Sequence, residues 1–212
     1  ANWVTRADPP PAASASGGEL ELVMGPMFAG KTTALLRRVA AARAAGLRVE
    51  VVKSSKDGRY AAASVVTHDG AALRCTPLPA LGRLPPDLYA RADLIAIDEA
   101  QFFDDLLPFC RAALQDGKRL VVAGLDGDFR RVKFGAMADL IGLARRVRKL
   151  QSRCSVCGGA APFTARKSAR EEQELVGGAE QYMPVCRYHF ILWESTRSCD
   201  HASGEGCGSA EG

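Results

Sequence analysis

The sequence predicts an α/β protein: a parallel β-sheet core followed by a smaller C-terminal unit organised around metal ligands. Three observations predict it. Short apolar runs alternate with helical stretches as far as Leu150, the pattern of strand–helix–strand crossovers. The run Gly25-Pro26-Met27-Phe28-Ala29-Gly30-Lys31-Thr32 fits G-x-x-x-x-G-K-[ST] and stands between a strand-like and a helix-like stretch. Beyond Leu150 the texture changes to Cys, Gly and polar residues, with a C-x-x-C and a C-x-x-H spacing.

Taken in order, Ala1–Gly18 carries Pro9-Pro10-Pro11 among Ala and Ser and is expected to be a flexible leader. A remnant of an organelle-targeting segment is the alternative for it. Leu20–Met24 is the first strand, and Thr33–Ala45 the helix after the Gly-rich turn. Arg48–Lys53, Leu94–Asp98 and Arg119–Leu125 are apolar enough for strands buried on both faces. Helices are expected at Phe103–Gln115 and Phe134–Ala144. Lys56–Leu73 breaks the alternation, and Pro77–Pro86 reads as a Pro-punctuated connector. A boundary near Gln151 divides a core of residues 19–150 from a second unit of residues 151–192. Residues 193–212 are polar and expected to be disordered.

Composition narrows the chemistry. With 212 residues the chain is long enough for one real core plus an appendage. The formal charge of +4 suits an anionic small molecule without demanding nucleic acid. No apolar stretch approaches the ~18–20 residues needed to span a bilayer, so no membrane role is expected. Three of the seven cysteines group with His189 as metal ligands, which points to a reducing, cytoplasmic compartment.

The Gly-rich run has the context its chemistry needs. Gly25 and Gly30 allow a tight turn whose N–H groups face phosphate oxygens, and the helix opening at Thr33 adds its positive end. Lys31 reaches the outer phosphates, and the Thr32 hydroxyl is placed to ligate Mg²⁺. The bland reading is a chance turn. Spacing and context together predict a nucleoside-triphosphate site of the P-loop NTPase, RecA-like type.

Asp98-Glu99 end the apolar run Leu94–Ile97. Adjacent carboxylates in isolation are often a solvated strand end. Downstream of a phosphate loop, Asp98 reads as a Mg²⁺ contact and Glu99 as a carboxylate able to take the proton of an attacking hydroxyl. The same Asp-Glu-Ala-Gln string also resembles the acidic box of nucleic-acid-dependent ATPases. That reading expects a clustered basic face, and Arg145–Lys149 is the single basic cluster that stands out.

Cys154, Cys157, Cys186 and His189 form two knuckles with ligand spacing for tetrahedral Zn²⁺. A closed Cys₃His shell is structural. A redox C-x-x-C or a disulfide is the alternative, and the second knuckle favours zinc. Cys75 and Cys110 read as core or free thiols, and Cys199, His201 and Cys207 as non-functional tail residues.

These residues resemble the tetrameric, zinc-containing thymidine kinases of eukaryotic cytosol and many bacteria. The resemblance spans about Glu19–Phe190. It rests on the phosphate loop, Lys56-Asp57-Gly58-Arg59, Thr67-His68-Asp69 and Ile97-Asp98-Glu99-Ala100-Gln101-Phe102-Phe103. Gly124–Phe129, Lys133-Phe134-Gly135, both knuckles and Val176-Gly177-Gly178-Ala179 with Tyr182 extend it. The Ala- and Arg-rich surface and the Asp-Asp after Phe103 have a plant-like cast.

The resemblance implies transfer of the γ-phosphate of ATP to the 5′-hydroxyl of thymidine, and of deoxyuridine. Glu99 matches the family's general base, Lys31 the phosphate lysine, and Thr32 and Asp98 the Mg²⁺ contacts. Arg59 matches an arginine near the transferring phosphate, with Asp57 beside it. Met27, Phe102, Leu125, Phe129, Phe134 and Tyr182 match the base pocket. Thr164 and Val176–Ala179 match a zinc-anchored lasso that folds over the nucleoside. A homotetramer and restraint by thymidine triphosphate are implied as well. His189 stands where the family often has Cys, and the role of Arg166 is left open. A zinc-stabilised ATP switch leaves the Gly177-Gly178 segment unexplained.

Overall fold

Residues 17–56, 64–66, 72–168, 172–173 and 177–202 are described by the structure, a computed structural model. The predicted site residues Asp57, Arg59 and Val176 lie outside them, as do Thr67–Asp69 and Cys207.

The chain begins with β1 (Glu19–Met24), α1 (Lys31–Ala44) and β2 (Val49–Ser54). A short ribbon, β3 (Ser64–Val66) with β4 (Ala72–Arg74), precedes β5 (Thr76–Leu78) and α2 (Pro86–Arg91). Then come β6 (Leu94–Asp98), α3 (Leu106–Gln115), β7 (Arg119–Gly124) and β8 (Arg146–Lys149). The main sheet has six strands in the order β5-β2-β6-β7-β1-β8, and every pairing in it is parallel.

Alternation along the strands explains their apolar runs. Val23, Val51, Ala96 and Val121 face α1, where Leu35, Val39 and Ala42 are buried. Leu22, Val52, Ile95, Ile97 and Val122 face the opposite layer, with Phe103, Leu106 and Cys110. Leu35 and Val39 are almost fully buried, each contributing about 1.5–3 kcal/mol. Parallel strands also bring the carboxyl ends of β1, β6 and β7 to one edge, where open α/β sheets bind ligands.

Several expectations are corrected. Phe134–Ala144 is not an α-helix; it holds only a 3-10 turn at Ala138–Leu143. Gly135 takes φ 56°, while Phe134 packs edge-on against Phe102 at 5.5 Å, so the segment follows tertiary contacts instead of its own periodicity. α3 starts at Leu106 and not at Phe103, because a 3-10 turn occupies Ala100–Phe102 and Asp105 accepts the Leu81 and Gly82 N–H groups. The Pro-punctuated connector Pro77–Pro86 opens inside β5, whose Thr76–Leu78 pairs with Val52–Ser54; it carries a 3-10 turn at Leu81–Arg83 and ends on the first residue of α2. Pro77 is tolerated because β5 is an edge strand. The basic cluster Arg145–Lys149 supplies the other edge strand, β8, beside β1.

The second unit comprises β9 (Ser152–Arg153) with β10 (Ala160–Ala161), β11 (Phe163–Arg166) with β12 (Tyr182–Val185), and α4 (Arg187–Ala202). Its own small core joins Cys154, Ala161, Ala165, Val185 and Phe190. The tail expected to be disordered from residue 193 therefore carries helix as far as Ala202.

Candidate active site and metal centre

The phosphate loop lies between β1 and α1, as its sequence context requires. Gly30 takes the left-handed conformation at the helix N-cap (φ 79°), and no side chain caps α1. Its first-turn amides thus lie at the positive end of a helix without an acidic side chain in its first turn, a setting that favours bound phosphate. Phe28, in the same loop, also has a positive φ of 62°. The Lys31 ammonium folds back and donates to the Pro26 carbonyl at 2.7 Å.

β6 delivers its two carboxylates to this loop. Thr32 Oγ1 donates to Asp98 Oδ2 at 3.1 Å, joining the two residues predicted to hold Mg²⁺. Asp98 is buried, and desolvation first, then the Glu99 charge, raise its carboxyl to about 7 against the opposing Thr32 hydrogen bond. Glu99 is one of three non-glycine residues with positive φ among those described, at φ 50° and ψ 41°. Such conformations cost of order 1–3 kcal/mol and cluster at functional sites. An oxygen-donor pair on a threonine and an aspartate fits hard, oxygen-seeking Mg²⁺.

The predicted pocket residues assemble in subsets. Met27 N–H donates to Thr164 Oγ1 at 3.0 Å in a buried contact, tying the phosphate loop to β11 of the second unit. Ser152 adds a bond to the Phe28 carbonyl at 3.1 Å. Phe102 and Phe134 meet edge to face, and both are buried. Arg166 joins Phe129 to Tyr182: its guanidinium stacks 3.8 Å over the Phe129 ring and donates to Tyr182 Oη at 2.7 Å. Leu125 enters through its backbone N–H, which is held by Gln101. Within the predicted lasso, the Gly178 carbonyl accepts from Gln181 and Tyr182, while Lys167 Nζ donates to the Ala179 carbonyl at 2.6 Å. Gly177 precedes this turn.

Arg166, left open by the sequence, is among the most buried side chains described, at 1% exposure. It also donates to the carbonyls of Glu172 and Gln173, and Gln173 Nε2 in turn donates to Asp128 Oδ2 at 2.9 Å. This network fastens the predicted lasso to the turn after β7. Sequence reasoning missed Gln173, Asp128 and Gln101 as site residues; Gln101 carried a signal in the Asp-Glu-Ala-Gln string and Asp128 in the stretch Gly124–Phe129, while Gln173 carried none.

Cys154, Cys157, Cys186 and His189 converge, their ligand atoms all within 4.8 Å of one another. His189 Nδ1 lies 3.1 Å from Cys186 Sγ and 3.6 Å from Cys154 Sγ, and Cys157 and Cys186 are 3.9 Å apart. A tetrahedron with Zn–S of about 2.3 Å and Zn–N of about 2.0 Å has edges of this size, so the four residues fit zinc. Burial pushes the Cys154 thiol up, but N–H groups of Cys157, Cys186 and Val156 outweigh it and lower the thiol to about 6. That favours the thiolate a metal needs. Cys154 and Cys157 are free thiols here, so the disulfide alternative is not realised. Cys75 is half-buried and Cys110 fully buried, the latter pushed up to about 12 by burial.

A parallel sheet with a phosphate loop, an acidic strand end facing it and a Cys₃His cluster defines a P-loop nucleotide-binding protein with an appendage that carries a candidate metal centre. A family model described as Thymidine kinase matches residues 18–190. The chain is 54% identical over 190 residues to "Thymidine kinase" of Oryza sativa subsp. japonica, covering 85% of this chain and 70% of that one. It is 52% identical over 179 residues to "Thymidine kinase a" of Arabidopsis thaliana, covering 82% and 75%. It is 37% identical over 198 residues to "Thymidine kinase, cytosolic" of Homo sapiens, covering 93% and 84%. The chain belongs to the thymidine kinase family.

Proposed function

We propose that this chain is an ATP:thymidine 5′-phosphotransferase, with Glu99 as its general base. The observation that carries the reading is the meeting of phosphate loop and acidic strand end, Thr32 against Asp98 at 3.1 Å with Glu99 next in the chain. Glu99 takes the proton of the thymidine 5′-hydroxyl as that oxygen attacks the γ-phosphorus. The bond from phosphorus to the β,γ-bridging oxygen breaks, and ADP leaves. Lys31 and Arg59 balance charge on the transferring group, with Asp57 beside Arg59. Thr32 and Asp98 would hold Mg²⁺, which would supply charge neutralisation for the transferring phosphate.

Met27, Phe102, Leu125, Phe129, Phe134, Thr164 and Tyr182 enclose the base, and Val176–Ala179 close over it. Zn²⁺ on Cys154, Cys157, Cys186 and His189 is structural and anchors that closure. Family membership supports a homotetramer and feedback inhibition by dTTP. Among the described residues no helix is long and apolar enough to cross a membrane. We place the enzyme in the cytoplasm, with no nucleic-acid partner.

Thymidine-dependent ADP formation tests the activity. Glu99→Gln should lower kcat by roughly 10²–10⁴ while ATP and thymidine still bind. Turnover by that variant near the wild-type rate removes Glu99 from the mechanism. Deoxycytidine, which reverses the donor–acceptor pattern of thymine, should be discriminated by about 10⁴–10⁵ in kcat/KM. Stimulation by DNA or RNA without thymidine would instead support the ATPase reading.

A further inference from the structure

Gln101 occupies a position that no part of the proposed chemistry has used. It lies in the 3-10 turn Ala100–Phe102, directly after the predicted base, and is only 3% exposed. Its side-chain amide nitrogen donates to Glu99 Oε2 at 2.7 Å. Its amide oxygen accepts the Leu125 N–H at 3.0 Å. An ionised carboxylate only accepts and a backbone N–H only donates, so these two partners fix which end of the amide faces which. A carboxamide satisfies both at once. A carboxylate there would turn acceptor against acceptor at Glu99, and an aliphatic side chain would serve neither.

The surroundings hold this side chain in place. A Cβ on Gly124 would stand 2.7 Å from Gln101 Oε1 and 2.8 Å from Met137 Sδ, so the end of β7 is shaped around the amide. The backbone of Gln101 is in turn closed off by Gly135. Glu99 itself sits on a left-handed backbone directly after β6 ends at Asp98. Glu99 also keeps further interactions of its own, so the bond to Gln101 adds direction to a group already held.

We propose that Gln101 is a positioning residue: it aims the Glu99 carboxylate and ties its placement to Leu125, where β7 opens into the nucleoside pocket. This rests on Glu99 being the general base. One amide thereby couples the proton acceptor on β6 to the pocket wall on β7. Filling of the pocket and alignment of the base are then set by the same side chain. Misplacement of a reacting group by about 1 Å can cost around 10²-fold in rate, which sets the scale of the effect.

The test is a set of variants of the full chain, each read as kcat, as KM for thymidine and for ATP, and as a thermal midpoint. Gln101→Leu removes both bonds at similar volume. Gln101→Glu keeps an acceptor for the Leu125 N–H at nearly the same volume, while it removes the donor to Glu99 and turns a second carboxylate against it, so it disrupts aiming with packing retained even if Gln101→Leu folds poorly. Both should lower kcat by about 10–10²-fold while KM for ATP stays within about threefold. In a Glu99→Gln background, adding Gln101→Leu should lower kcat by less than about threefold, because the group it aims has already lost its function. Folded Gln101→Glu with kcat within about threefold of wild type overturns the proposal. So does a full multiplicative loss in the double variant, which would mark Gln101 as packing alone. Wild-type protein without thymidine-dependent turnover would instead remove the general-base reading beneath it, and that result is seen before any variant is made.

Discussion

Replacing Gly135 by alanine probes how rigidly the site is framed. Gly135 has φ 56°, and an added Cβ would collide with the Gln101 carbonyl oxygen and lie 3.0 Å from its carbonyl carbon. Two costs follow. The left-handed backbone penalises a Cβ by about 1–2 kcal/mol. The collision is with backbone, inside the short turn that carries Gln101 and Phe102, so relief requires moving that turn; overpacking of this kind costs about 1–3 kcal/mol more. Gly46 provides the control: its φ is 80°, but nothing lies within 4 Å of its added Cβ, so only the first cost applies. For a chain of 212 residues, each 1 kcal/mol shifts the thermal midpoint by about 2–4 °C. Gly46→Ala should therefore lose about 2–8 °C and Gly135→Ala about 4–20 °C, with Gly135→Ala the lower of the two, read by differential scanning calorimetry. Gly135→Ala should also lose kcat beyond what its stability predicts at 20 °C, because the displaced turn holds both Gln101 and Phe102. Equal midpoints for the two variants, or full kcat in folded Gly135→Ala, would refute the reasoning.

The buried Asp98 carboxyl gives a pH signature. Its folded value of about 7 lies above the ordinary 3.8, so between those values the metal-free folded protein holds a proton that the unfolded chain has released. The stability it contributes is present below about 4 and is lost as pH rises through about 7; urea melts of wild type minus Asp98→Asn in a chelator should show that slope, and parallel curves would exclude it. Mg·ATP must displace the same proton, so its affinity should rise with pH to about 7 and then level off, as titration calorimetry in two buffers would reveal. The metal cluster predicts one zinc per chain by elemental analysis. Cys154→Ser or chelation should raise KM for thymidine far more than KM for ATP, and undenatured protein without zinc would refute the assignment.

What could be read from sequence was chemistry confined to short contiguous stretches. The phosphate loop is legible because its turn, its lysine and its helix start are consecutive residues, and local sterics alone dictate their arrangement. Asp98-Glu99 are legible because strand ends in parallel sheets all emerge on one edge. The knuckles are legible because each holds its two ligands three residues apart, and four such ligands have few other uses.

Other features depended on partners distant in the chain. Arg146-Val147-Arg148-Lys149 has neither the composition nor the alternation of a buried strand; it becomes β8 because β1 leaves an open edge beside it. Phe134–Ala144 has helical periodicity, yet Phe134 is claimed by Phe102 and Gly135 by the turn at Gln101, contacts worth more than a marginal short helix. Met27 N–H finds Thr164 across 137 positions, and Arg166 finds Phe129 and Tyr182 together. By itself the sequence determined which chemical groups the protein carries and the family to which they belong. Only the tertiary structure decided which of them touch, because buried hydrogen-bonding groups must be satisfied by whatever packing brings near, and no local pattern encodes that partner.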